Sequence, residues 1–324
     1  MNSRDRFRET MRYGTTDRVP YFEEGIRKEV VRVWRKQGLQ RGLDLAEMFP
    51  SDGREDIEPD LEPRFSLKQW PSSRSQLDSF RRRLDPDDSG RLPLRWRRRV
   101  RHWKNRDHVL MLRVHRGFFL SMGVDGWNRL EEVIDLLIND PELVRETMMI
   151  QGEFAAKLTE KMLRDVEIDA AVFAEPIGAN HGPLISPRMY EELILPSYEP
   201  LFQVLDRHHV ETKIFLTFAN ARLLIPSILR WGFNCLWACE VSVEEMDYGD
   251  LRREFGRDLR LIGGIDLDVL RQGKEAIRRE IEEKVPPLLA DGGYVPLADG
   301  RVRVDVPFEN YVYYRRLLEK ITQG

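Results

Sequence analysis

From Val109 onward, apolar runs alternate with longer stretches whose apolar positions recur every three to four residues. The runs "VLMLRVH", "DAAVFAE", "TKIFLT", "FNCLWACE", "LRLIGGID" and "GYVPLAD" predict strands. Helices are predicted over Leu130 to Ile138 and over Pro141 to Arg164, the second capped by Asp140 with Pro141 at its first position. Further helical patterns are "SPRMYEELILPSYEPLFQVLDRH", "ARLLIPSILRWG", "DYGDLRREFG", "KEAIRREIEEKVPPLLADG" and "PFENYVYYRRLLEKI". Upstream, a helix capped by Ser3 leads to "RVPYF" (Arg18 to Phe22), read as a strand, and to a helix over about Arg27 to Gln37. Strands that are continuously apolar and alternate with helices predict a parallel sheet covered on both faces. The count is seven strands from "RVPYF" to "GYVPL", with room for an eighth inside residues 43–107. The expected fold is a single α/β TIM-type (β/α)8 barrel spanning 1–324.

Residues 43–107 break the rhythm and read as an irregular charged insertion. An acidic part, "DGREDIEPDLEPR", precedes a basic part, "RLPLRWRRRVRHWKNR", with seven Arg, one Lys and no acid. The basic half is expected to pair with the acidic half, in this chain or a second subunit. Trp96 and Trp103 within it raise nucleic acid as a weaker reading. The whole chain, 324 residues with net charge -3, gives no global case for nucleic acid or membrane partners. Two cysteines, a charged N-terminus without an apolar core and no long apolar run fit a cytoplasmic location.

In such a barrel, chemistry gathers at the C-terminal strand ends. The polar residues there are Glu23 and Glu24, His115 and Arg116, Glu175, Asn220, Cys239 and Glu240, Asp266, and Asp299 with Arg301; His181 follows Glu175 in a loop. Glu175 ends an apolar strand with no capping duty in view, whereas Asp266 can simply cap the next helix. A carboxyl facing Phe218 and Trp237 would have its pKa raised by desolvation, as suits a general acid. Cys235 and Cys239, four apart on one strand, lie about 13 Å apart and cannot share a zinc without a bulge; no metal site is expected. Phosphate-binding and nucleophile-elbow motifs are absent. The stretch Leu216-Thr217-Phe218-Ala219-Asn220 is apolar where a strand-to-helix junction ordinarily carries polar groups.

The segments "RDRFRETMRYGTTDRVPYFEEG", "GPLISPRMYEELILPSYEPL", "GGIDLDVLRQGKEAIRREIEEKVPPLLADGGYVP" and "DVPFENYVYYRRLLEKI" resemble the uroporphyrinogen decarboxylase superfamily, closest to its poorly characterised decarboxylase-like members related to cobalamin-dependent methyltransferases. The resemblance implies a TIM barrel with the site at its mouth. It also exposes departures. The family's "RQAGR" loop is replaced by "FEEGIRKE", which places Glu23 and Glu24 where substrate carboxylates would be held and argues against uroporphyrinogen as substrate. The His-x-Cys of the zinc methyltransferases is replaced by Leu216-Thr217-Phe218. A polar "D-S-D-G-N" is reduced to Asn220, and Glu-Asp, Asp-Lys and Asp-His pairs become Glu175-Pro176, Asp266-Leu267 and Asp299-Gly300.

Three functions remain open from sequence. The first is lyase-type decarboxylation or related one-carbon chemistry on a small or macrocyclic substrate. There Glu175, Asp299, His115 and His181 do the acid-base work, while Glu23, Glu24, Arg116, Phe218, Asn220, Trp237, Glu240, Asp266 and Arg301 contact substrate. The second is methyl transfer with a corrinoid cofactor and no zinc. The third is a non-catalytic subunit partnering a corrinoid protein or an intact paralogue. A homodimer is compatible with each.

Overall fold

Nine strands organise the computed structural model, which describes residues 1–64, 70–239 and 246–323. They are β1 (Arg54–Ile57), β2 (Val109–His115), β3 (Ala170–Glu175), β4 (Gly178–Ala179), β5 (Gly182–Pro183), β6 (Thr212–Phe218), β7 (Cys235–Cys239), β8 (Arg260–Ile265) and β9 (Tyr294–Ala298). Two compact units interleave along the chain. The first holds Met1–Arg54, Asp107–Val109 and Cys235–Gly324, and the second Glu55–Arg106 and Leu110–Asn234.

In the second unit the strand order is β1-β2-β3-β6. β2 and β3 run parallel, as do β3 and β6, where Glu175 stands opposite Thr217. β3 is buried along its whole length, as its apolar sequence predicts. Outside this sheet, β4 and β5 form a short antiparallel hairpin. In the first unit β7, β8 and β9 form a second parallel run. Parallel strands alternating with helices make the chain a mixed α/β protein. No helix among the described residues is long and apolar enough to cross a membrane.

Most elements fall where the apolar pattern places them. Asp140 caps the helix Pro141–Leu163 by accepting from Leu143 N. At the N-terminus Asn2, not Ser3, is the cap, accepting from Asp5 N. The larger correction concerns "RVPYF", which is not a strand. Pro20 has no N–H for a ladder, and Tyr21 N donates instead to the Asp52 carboxylate at 2.7 Å. That carboxylate also accepts from Arg18 at 2.6 Å and from the buried guanidinium of Arg6. A side-chain acceptor therefore takes the role of a neighbouring strand. The additional strand sought within residues 43–107 is β1. That region is also more regular than expected, with helices at Leu45–Met48, Leu77–Arg82 and Trp96–Trp103.

The predicted long helix "SPRMYEELILPSYEPLFQVLDRH" is broken into four pieces. A turn at Pro187–Met189 leads into a π-helical segment, Tyr190–Ile194, then a 3₁₀ turn, Leu195–Tyr198, and an α-helix, Glu199–Arg207. Pro196 has no N–H to give and crowds the preceding carbonyls, so the ladder widens ahead of it. The helix Pro141–Leu163 passes so close to this break that a Cβ on Gly152 would lie 1.8 Å from the Ser197 carbonyl oxygen.

The acidic and basic stretches of residues 55–106 partly pair, as expected. Arg99 meets Glu55 at 2.6 Å and Arg91 lies 3.6 Å from Asp60, while Arg64, at the end of the acidic part, bridges Asp60 and Asp88. Arg91 is fully buried and donates to the carbonyls of Glu62, Arg83 and Asp85. Trp96 and Trp103 are core residues whose indole N–H groups bond Asp165 and Glu55, so neither is available to stack on a base. The Asp52 site gives a direct test of what holds the N-terminal segment. Asp52→Ala leaves the buried Arg6 and Tyr21 N without this acceptor and should cost roughly 2–4 kcal/mol, read as a lower denaturation midpoint at unchanged m-value. A variant within about 0.5 kcal/mol of wild type would refute that role.

Candidate active site

Glu175 ends β3 and is wholly buried. Its Oε1 accepts from Phe118 N at 2.7 Å, and its Oε2 accepts from the hydroxyls of Tyr190, at 3.0 Å, and Tyr198. The two tyrosines come from the two sides of the helix break, which is what brings residues eight apart onto one oxygen. Burial pushes the Glu175 carboxyl up to about 7, with the three donors offsetting part of that cost. Gly117 is required beside it: a Cβ there would lie 2.4 Å from Ala174 O and 2.8 Å from Glu175 Oε1, and its φ is +81°. His115, at the end of β2, is also buried; its Nδ1 accepts from Gly117 N at 3.0 Å and its ring packs 4.5 Å from that of Tyr198. Burial, and then the charge of Arg116, press the His115 pKa down to about 3, so the imidazole is neutral. Arg116 turns outward to Glu62 at 3.0 Å.

The apolar junction after β6 has a specific geometry. Thr217 is buried, but Phe218 is 40% exposed. Ala219 takes a left-handed conformation with φ +53°, reversing the chain so that Asn220 N donates to Ala179 O in the β4–β5 hairpin at 3.1 Å. Asn220 Oδ1 accepts from Arg222 N at 3.0 Å, starting the next helical turn. Asn220 is thus a junction anchor. The hairpin fits tightly: a Cβ on Gly178 would lie 2.2 Å from Phe218 O. A cavity of about 620 Å³ runs along it, lined by Gly178 to Pro183 and Ala219, and His181 sits exposed at the hairpin turn on its wall.

The first unit carries the other expected residues. Glu23 accepts from Tyr311 OH and from Arg315, itself nearly buried. Glu24 meets Arg54 at 3.0 Å, and the Arg54 guanidinium lies 4.9 Å from the ring centre of Trp237 and 5.2 Å from that of Phe22. Both acids after "RVPYF" are therefore neutralised by arginine. Trp237 is 4% exposed, and its indole N–H has no acceptor among the described residues. Asp266 caps the turn Leu267–Arg271 by accepting from Asp268 N. Asp299 is buried and accepts from Leu267 N at 3.0 Å; Arg301 is exposed. Glu240 lies outside the described residues. Cys235 and Cys239 are buried, and burial raises the Cys235 thiol to about 12, which opposes the thiolate a metal would need.

Residues 121–312, more than half of the chain, match the family model described as uroporphyrinogen decarboxylase. The chain belongs to the uroporphyrinogen decarboxylase family. Similar proteins include uroporphyrinogen decarboxylase 2, chloroplastic, of Arabidopsis thaliana, 24% identical over 168 residues that cover 51% of this chain and 41% of that protein. The uroporphyrinogen decarboxylases of Trichormus variabilis and Nostoc sp. are each 26% identical over 131 residues, 40% of this chain and 36% of theirs. The chain thus spans less than half the length of these relatives in the matched region.

Within this uroporphyrinogen decarboxylase family chain, sequence reading found Glu175 and its strand end but missed Tyr190, Tyr198, Arg54, Tyr311 and Arg315. Pro196 inside an otherwise helical pattern was the available signal for the tyrosines. Arg54 carried none, being one basic residue in a charged stretch.

The buried pair Glu175 and His115 gives opposite pH dependences. The folded-state pKa of Glu175 is raised above its unfolded value, so its contribution is complete at low pH and lost as pH rises to about 7. That of His115 is depressed, so its contribution is complete above its unfolded pKa and lost as pH falls from about 6.5. Glu175→Gln should therefore make stability rise more steeply from pH 5 to 7, by up to about 3 kcal/mol relative to wild type, while His115→Phe should flatten that rise. Denaturation midpoints across this range test the signs; parallel curves for wild type and both variants would refute the assignment.

Proposed function

We propose that the chain is a decarboxylase-type enzyme on a (β/α)8-type barrel whose ligand is more apolar than uroporphyrinogen. The observation that carries this is Phe218: an aromatic side chain 40% exposed at the C-terminal end of a parallel strand, where the family resemblance leads one to expect polar groups. Core packing does not account for a phenylalanine at that exposure, whereas an apolar ligand would cover it. The ion pairs of Glu23 with Arg315 and Glu24 with Arg54 offset the repulsion of carboxylates expected from sequence. The case against uroporphyrinogen then rests on Phe218 and on the missing arginine loop. His181, exposed on the hairpin beside the cavity, is placed to exchange a proton with a ligand there. Glu175 acts as a positioning residue, through Phe118 and the two tyrosines. Decarboxylation needs the substrate carboxyl oriented in an apolar setting, where loss of charge as carbon dioxide leaves is favoured, and a proton then delivered to carbon.

The same exposed aromatic edge suits a corrinoid, so corrinoid-linked methyl transfer is the second reading, and a binding subunit without turnover is the third. One variant addresses the site. Phe218→Asp should weaken binding of the preferred macrocycle by about 1.5–3 kcal/mol and leave thermal stability nearly unchanged, because the side chain is already part-exposed. Titration of the purified protein with porphyrins and with a corrinoid, each followed by assay for carbon dioxide release and methyl transfer, identifies the ligand. Unchanged affinity with a much lower melting temperature would make Phe218 a packing residue and remove the basis of this reading.

A further inference from the structure

The helix Trp96–Trp103 is fastened on one side and bare on the other. Trp96 and Trp103 are buried and their N–H groups are bonded to Asp165 and Glu55, while Arg99 pairs with Glu55. The opposite side is basic. Arg95, Arg97, Arg98, Arg101 and Lys104 are all exposed, and none has an ion-pair partner among the described residues. Arg97, Arg101 and Lys104 recur at i, i+4 and i+7, so they align along about 10 Å of one helix face, with Arg98 beside them. Unpaired like charges at this spacing repel one another. Arg95 also sits in a left-handed conformation, φ +60°, that favours glycine or asparagine. Leu94, at the head of the patch, is 84% exposed. This cluster contrasts with Arg64, Arg91, Arg99 and Arg106 of the same region, which are paired or buried, and with a chain whose net charge is -3.

We propose that this face docks an acidic protein segment that carries an apolar residue among its carboxylates. Charge complementarity selects an anionic partner, and four guanidinium groups offer bidentate seats for carboxylates. Leu94 selects among anions. It provides an apolar contact at the edge of an arginine-rich patch, as protein interfaces do. A nucleic-acid backbone would make no use of Leu94, and bases would find no stacking platform because both tryptophans are core. An anionic membrane surface would draw the basic side chains but could take up only Leu94 as an apolar anchor, because the apolar face of this helix is already buried in the protein.

The test uses the full chain and a labelled glutamate-rich peptide with one central leucine. Binding by anisotropy should be measurable at low salt and weaken as salt rises. Arg97→Glu/Arg101→Glu should weaken it at least tenfold, and the milder Arg97→Gln/Arg101→Gln severalfold, at an unchanged melting temperature. Leu94→Ser should weaken the leucine-bearing peptide but not an all-glutamate one. Arg188→Glu, a reversal at an exposed arginine outside this helix and paired with Glu192, should have little effect. The inference is overturned if the reversal variant binds the peptide as wild type does. It is also overturned if a single-stranded oligonucleotide or phosphatidylserine vesicles bind this face more tightly than the peptide at the same salt.

Discussion

The Glu175 carboxylate, buried at the end of β3, is the contact on which the second unit's strand ends depend. It gathers three donors from two places that sequence leaves far apart: the backbone turn after β2, and the hydroxyls flanking the break at Pro196. A buried carboxylate without such donors would cost several kcal/mol; with them it fixes where the β2 turn begins and how the broken helix lies on β3. Gly117 and Gly152 serve the same close approaches, because a side chain at either would strike backbone. The apolar junction after β6 rests on this frame, with the hairpin clasped by Asn220 and Phe218 left at the surface.

A second theme is neutralisation by arginine. Asp52 gathers Arg6 and Arg18, Asp169 takes Arg106, and Glu23 and Glu24 take Arg315 and Arg54. These pairs are buried or nearly so, where loss of one partner strands a charge. They explain how a chain that is one-third charged folds around an apolar core. They also change the meaning of Glu23 and Glu24, which present paired rather than naked charge. The bare helix face at Arg97 and Arg101 is notable against this background.

What could be read along the chain was periodic or local. The apolar runs of β2, β3, β6, β7, β8 and β9 and the cap at Asp140 depend on neighbours in sequence, and each was legible. So was the family, because its segments are contiguous. Glu175 could be singled out because an acid ending an apolar strand has no local explanation. "RVPYF" misled for the same reason that these succeeded: its composition is that of a strand, and only Asp52, thirty-one residues from Tyr21, supplies the acceptor that replaces a ladder.

The sequence by itself determined the α/β class, the order of the main-sheet strands from Val109 onward and the family, since hydrophobic period and contiguous motifs are properties of short stretches. Tertiary structure alone decided which charges are paired, which tryptophans are core, that Tyr190 and Tyr198 share one carboxylate, and that Phe218 lies at the surface. Those outcomes depend on distances between residues remote in the chain and on how much water each side chain keeps, and neither quantity is encoded in any local pattern.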